Sequence, residues 1–344
     1  MSLDTDRSID EIAGGTARAE VAPEGRKFYY GDVTLVGTTE LTLADLDRRA
    51  PAPYGLSPLW QAPYGTLRGE SGRYYMPVRF NHVTMTPRLH LPVTPHAGQA
   101  VDADAAAGSF YGYIQSDVIG DRWLLRSRGK PGRGFAFEVT PGDKAVWREE
   151  GIMELEMRQV GPAMQMYHPD PDMDWYYLAL VTEITGTILD DPVVGVGGWE
   201  LAWSNAGALD WRELAVPRRC EDMWMIYVNH YDDGSVEGAA LYANARGSGV
   251  GMLVENNAGR GLRNIRSEVF VDGAGSPSRL QWSSEGRTWE WTADNPSSLT
   301  SPRNPSYLWY MGQVRELGND RSIVSSYAYA EVLPRTIGLA EHAR

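Results

Sequence analysis

Polar and apolar residues alternate with a period of two along most of this chain, and glycine, proline or Asp-Gly pairs close the alternating runs. A period of two belongs to the pleated strand, whose successive side chains point to opposite faces. Strands are expected at Arg73 to Phe80, Ser109 to Val118, Met153 to Val160 and Trp175 to Ile184. The series continues with Trp199 to Asn205, Met223 to Tyr231, Val236 to Ala245, Gly251 to Asn256 and Leu262 to Val271. Arg279 to Ser283, Arg287 to Thr292, Ser306 to Arg315 and Ile323 to Val332 complete it. Asp232-Asp233-Gly234, Asp272-Gly273 and Glu285-Gly286 read as hairpin turns. Only Leu41 to Arg49 and the residues after Pro334 carry a helical pattern. Strands that follow one another without helices between them predict an all-β chain of antiparallel barrels or sandwiches, not βαβ units.

At 344 residues the chain has room for two domains of ordinary size. The pattern breaks near Gly186 to Gly198, so one β domain is placed at residues 27–190 and a second at 195–335, after a polar N-terminal segment at 1–26. Thr84 to Ala106, rich in Pro, His and Ala, reads as a long surface connection. Acidic residues outnumber basic ones by 45 to 32, a net charge of −13. That balance opposes a general nucleic-acid binder and docking on anionic membranes. The single Cys220 excludes an internal disulfide framework and any multi-cysteine metal site. No apolar run approaches the roughly 20 residues of a membrane helix, and the N-terminal segment lacks a signal-peptide layout. A cytoplasmic protein is expected, with self-association into a homo-oligomer left open.

Twelve Trp and 18 Tyr stand against only 6 Phe. Such rings suit surfaces that are half apolar and half polar, like the wall of a ligand cavity, although β-sheets favour them in any case. No nucleophile elbow, Walker loop or dinucleotide fingerprint is present. Gly247 to Gly251 lies between strands and reads as a turn or bulge. The histidines at 82, 90, 96, 168, 230 and 342 are widely spaced, and no metal is expected. The acidic run Tyr167 to Asp174 reads as a solvated loop.

The strongest constellation is Gly197-Gly198-Trp199-Glu200-Leu201-Ala202-Trp203-Ser204-Asn205. Trp199, Leu201 and Trp203 share one strand face, and Glu200, Ala202 and Ser204 the other. A carboxyl flanked by tryptophans can be desolvated into a general acid, but the same alternation also allows Glu200 to face water while the rings fill a core. In the strand from Trp224 to Tyr231, Trp224, Ile226, Val228 and His230 share a face, opposite Met225, Tyr227, Asn229 and Tyr231. His82 and Tyr177 belong to aromatic stretches that line a cavity or a domain interface.

Gly-Gly-Trp-Glu-x-x-Trp-Ser-Asn followed, about twenty residues on, by Trp-x-x-Tyr-x-x-x-x-x-Asp-Gly resembles the second domain of the carotenoid 1,2-hydratase and AttH-type superfamily. The resemblance implies two packed lipocalin-like β-barrels, an architecture shared with fungal decalin-forming Diels–Alderases. It also implies a cofactor-free protein holding a large apolar substrate. Trp203 matches the family's Trp and Tyr227 its Tyr, whereas Leu201 stands where the family has His and Asn229 where it has Asp. Glu200 and His230 are the nearby groups able to take over proton transfer. The expectation is therefore an acid–base isomerase, hydratase, lyase or cyclase acting on a bulky hydrophobic or aromatic molecule. Glu200, Tyr227 and His230 are the catalytic candidates, and Trp199, Trp203, Trp224, Asn229, Tyr177 and His82 the substrate-binding ones. The alternative is a non-catalytic carrier of an apolar ligand.

Overall fold

A computed structural model describes residues 19–20, 35–47, 53–94, 101–129, 134–168, 174–204, 223–245, 247–273, 276–294 and 308–332. Most of the described residues are strand. The first half holds β1 (Ala19–Glu20), β2 (Leu35–Thr39), β3 (Ser57–Gly69), β4 (Tyr74–Tyr75), β5 (Asn81–His82), β6 (Met85–Thr86), β7 (Pro92–Thr94) and β8 (Val101–Asp102). It continues with β9 (Gly112–Ile119), β10 (Arg122–Ser127), β11 (Phe135–Thr140), β12 (Lys144–Glu149), β13 (Met153–Gln159), β14 (Ala163–His168), β15 (Trp175–Ile188) and β16 (Asp191–Ser204). Two one-turn helices, α1 (Leu43–Leu46) and α2 (Asp104–Ala107), interrupt it. The second half holds β17 (Met223–Tyr231), β18 (Val236–Ala243), β19 (Gly249–Glu255), β20 (Ala258–Val271), β21 (Pro277–Ser284), β22 (Arg287–Ala293), β23 (Leu308–Glu316) and β24 (Ile323–Val332).

The eight strands of the second half pair in chain order and close when β24 meets β17, giving an up-and-down antiparallel barrel of lipocalin-like type. The first half is one curled antiparallel sheet, in the order β6-β9-β10-β11-β12-β13-β15-β16-β3-β4-β7-β8. The all-β expectation holds. The expected break at Gly186 to Gly198 does not fall between sheets. Leu189 and Asp190 take φ of 51° and 64°, the left-handed pair of a tight hairpin turn, and join β15 to β16. Both strands belong to the first sheet, and the change of sheet comes between Ser204 and Met223. The glycines that read as a linker lie inside β16. A Cβ on Gly198 would sit 2.7 Å from Tyr64 Oη and 2.8 Å from Ile226 Cδ1, so this glycine is what lets the two halves close over the strand.

The turns at Asp232 to Gly234 and Glu285-Gly286 join β17 to β18 and β21 to β22, and a bulge falls at Gly249/Val250. The helix expected from Leu41 is the single turn α1. The one expected after Pro334 lies outside the described residues, as do Cys220, His96 and His342. No helix among the described residues is long and apolar enough to cross a membrane.

Three apolar clusters organise the molecule. One fills the curl of the first sheet around Trp123, Phe137, Trp147 and Trp199. A second fills the barrel with Trp282, Trp289, Trp291 and Tyr227. The third joins the halves, with Trp60, Tyr64, Trp175 and Tyr177 from the first meeting Trp224, Tyr242, Trp309 and Tyr329 from the second. Strand parity sorts residues among them. Met223, Met225 and Tyr227 of β17 enter the barrel, while Trp224, Ile226 and Val228 face the first sheet.

Candidate functional site

The aromatic seam is not solid. Between the halves lies a small pocket with about 50 Å³ of free space, room for a few waters or for one edge of a ligand. Trp60, Ala62 and Tyr64 of β3, Met76, Val78 and Phe80 after β4, and Trp175 of β15 form one wall. Trp224, Tyr242, Trp309 and Tyr329 form the other, and Glu200 and Glu331 reach in from opposite halves. Among the described residues no Lys, Arg or His lines it.

Glu200 sits on β16 opposite Ala62 of β3 and Ala179 of β15, between small neighbours that leave its side chain room. It is partly buried and lines the pocket. Burial pushes its pKa up to about 7, and the Tyr64 and Tyr177 hydroxyls offset part of that rise. Tyr64 Oη accepts a hydrogen bond from Trp224 Nε1 at 2.9 Å, a direct polar link across the seam.

Glu331 is flanked by its cross-strand partners Trp224 and Trp309. Tyr329 Oη donates to its Oε2 at 2.5 Å. Burial first, and then the nearby charge of Glu200, raise its pKa to about 8. Because the two carboxyls interact, these values belong to the pair. Through the neutral range the pair passes through a state with one proton and one charge, an acid and a base in one pocket. Burial holds Tyr64, Tyr177 and Tyr329 well above the usual phenol range, so they remain neutral donors.

Several donors here lack partners. The Trp60, Trp175 and Trp309 indole N–H groups and the Tyr177 hydroxyl are buried without a hydrogen bond of good geometry. Tyr177 lies near enough to Glu200, and Trp309 near enough to Glu331, to lower the pKa of the neighbouring carboxyl. The indoles of Trp123, Trp199, Trp282 and Trp291 are likewise unpaired in the two cores, but those of Trp60, Trp175 and Trp309 belong to side chains that line free space, where a ligand can meet them.

Of the residues singled out from sequence, Glu200 and Trp224 line this pocket, and Tyr177 packs behind it against Trp60, Trp175, Trp224 and Tyr242. The others lie elsewhere. Trp199 and Trp203 share a strand with Glu200 but point from its other face into the core of the first sheet. Tyr227 points into the barrel and donates to Glu237 at 2.9 Å. Asn229, on the same face, donates from Nδ2 to the Val314 carbonyl at 3.0 Å. His230 keeps the parity of Trp224 but lies further along β17, where it pairs with Glu183 of the first sheet. His82 is exposed on β5. Glu331 was not anticipated from sequence. Among the described residues no group of three or more His, Cys, Asp or Glu side chains could hold a metal ion.

No family model matches the chain, and no curated protein matches it. Among solved structures, its fold resembles that of an AttH candidate from Nitrosomonas europaea, at 15% identity and a TM-score of 0.43, over 80% of this chain and 91% of that one. It also resembles kievitone hydratase from Nectria haematococca, at 9% identity and a TM-score of 0.37, over 82% of this chain and 90% of that one.

Proposed function

We propose that the protein is an enzyme that moves a proton on a bulky apolar or aromatic small molecule held between its two halves. The chemistry is of the isomerase, hydratase, lyase or cyclase kind and draws on the protein's own side chains. The observation that carries this reading is the pair Glu200 and Glu331, which share an aromatic pocket lined by no cationic side chain among the described residues. A buried carboxyl without a cation keeps its proton to near-neutral pH, where general acid–base catalysis works best. In the singly protonated pair one carboxylate is the base and the other carboxyl the acid; Glu331, whose Oε2 accepts from Tyr329, is assigned the acid and Glu200 the base. The rings of Trp60, Trp224 and Trp309 hold the apolar body of the substrate.

Native mass spectrometry of the purified protein identifies the molecule it carries, and incubation with that molecule tests turnover. Conversion by the wild type, with a loss of about 100-fold or more in Glu200→Gln and Glu331→Gln, is expected. A molecule that stays bound and unchanged would make the protein a carrier.

A further inference from the structure

The chemistry of the pocket also narrows the substrate, on the reading of Glu200 and Glu331 as its proton-transfer groups. The buried indole N–H groups of Trp60, Trp175 and Trp309 and the Tyr177 hydroxyl have no partner of good geometry. Each of these side chains is at least nine-tenths buried. Glu331 Oε2 accepts from Tyr329, which leaves its other oxygen to carry a proton toward the pocket. The unpaired groups are donors, and among the described residues no cationic side chain lines the pocket to attract an anion. A surplus of neutral donors in a dry aromatic site is complementary to a neutral oxygen acceptor on an apolar body.

We propose that the substrate is a neutral, largely apolar ketone or enone, whose carbonyl oxygen is received by Glu331 and the Trp309 indole N–H while Glu200 takes the proton from the carbon beside the carbonyl. The step balances within the site. The Glu200 carboxylate removes the C–H proton, and the bonding pair becomes the new carbon–carbon double bond. The carbonyl π pair moves onto oxygen, and that oxygen takes the Glu331 proton. The products are a neutral enol, protonated Glu200 and ionised Glu331. Returning a proton to a different carbon completes a double-bond shift. Loss of a β-hydroxyl as water completes a dehydration, and the reverse is a hydration. The raised pKa values of both carboxyls suit these roles, since one must stay protonated where the other is ionised. A neutral carboxylic acid donating to a ketone oxygen in an apolar site is an established way to stabilise an enolate.

Two measurements on the full chain test this. First, 2-tetralone is incubated in deuterium oxide and exchange beside its carbonyl is followed by NMR. The wild type is expected to accelerate exchange well above buffer, and Glu200→Gln to lose about 100-fold of that acceleration. Glu331→Leu should lose more than Glu331→Gln, which keeps a donor, and Trp309→Phe, which keeps the ring, should lose about 3- to 10-fold. Second, tryptophan fluorescence compares 2-naphthol, which has the shape of the enol, with naphthalene. The naphthol is expected to bind at least about tenfold tighter, and Glu331→Leu to erase the difference. Equal binding of naphthol and naphthalene, or exchange no faster than in buffer, would overturn the carbonyl assignment. If an apolar alkene without oxygen were still converted in a Glu200-dependent way, the acid–base reading would survive that failure. If ketone and alkene were both bound and returned unchanged, both readings would fall.

Discussion

Glu237 and the pair Glu200 and Glu331 are all buried carboxyls, and the protein treats them in opposite ways. Glu237, inside the mouth of the barrel, accepts from Tyr227 Oη at 2.9 Å and Trp289 Nε1 at 3.1 Å. Arg287 and Arg321 reach its other oxygen at 3.2 and 3.4 Å, and Arg287 is itself held by Glu316 through two bonds of 2.6 and 2.8 Å. Both oxygens of that carboxyl meet donors there, two of them on arginines. In the seam the carboxyls meet phenols and indoles, and no arginine among the described residues lines the pocket. One site spends its charges on holding the barrel together. The other keeps titratable protons that the fold does not use.

The difference can be broken from either side. The largest effect on stability is expected at the matched site. Glu237→Leu leaves the buried Tyr227 hydroxyl and Trp289 indole N–H without their acceptor and takes one partner from Arg287 and Arg321, and a chemical melt should show a loss of roughly 2–5 kcal/mol. At the seam the sign reverses. A carboxyl whose folded pKa lies above its unfolded value near 4.5 binds more protons when folded, so stability falls as pH rises from about 4.5 through about 8. Glu200→Gln removes part of that penalty. Denaturant melts at pH 8 should find the variant more stable than wild type by on the order of 2–3 kcal/mol, and the gain should vanish near pH 4.

Gly198→Ala sharpens the comparison by moving one wall. Its Cβ would crowd Tyr64 Oη and Ile226, at a cost of about 1–3 kcal/mol in stability. Displacing Tyr64 from Glu200, the base, should also shift the lower limb of the pH–rate profile to higher pH, since a stabilising hydroxyl is lost. The smallest effect belongs to His230. Its pairing with Glu183 lies at the partly exposed edge of the seam, so His230→Ala should cost roughly 0.2–1 kcal/mol and change turnover less than threefold. A hundredfold loss of turnover there would place the chemistry at the edge of the seam instead of at its centre.

Parity made half of this legible from sequence. The alternation through Trp199, Glu200 and Leu201 put Glu200 on the face opposite the tryptophans, and that face proved to be the seam between the halves, not solvent. The same alternation sorted β17 correctly, but it could not tell which face met the other half, and so Tyr227 and Asn229 read as pocket residues. Glu331 carried no local signal. It matters because β24 closes the barrel beside β17, a pairing of Trp224 with Glu331 across more than a hundred residues. β3 was not expected as a strand because Pro58 and Pro63 interrupt its pattern. The glycines of β16 read as a linker because close packing of backbone and turning of backbone call for the same residue.

The central claim is that two buried carboxyls in the seam hold their protons into the neutral range. The direct measurement is an NMR titration of protein labelled with ¹³C at the glutamate side-chain carboxyl, with Glu200→Gln and Glu331→Gln used to assign the signals. Two coupled signals moving between about pH 6 and 9, each simplified to a single step when the other glutamate is replaced, are predicted. Titration of both near pH 4 to 5, like ordinary glutamates, would contradict the account.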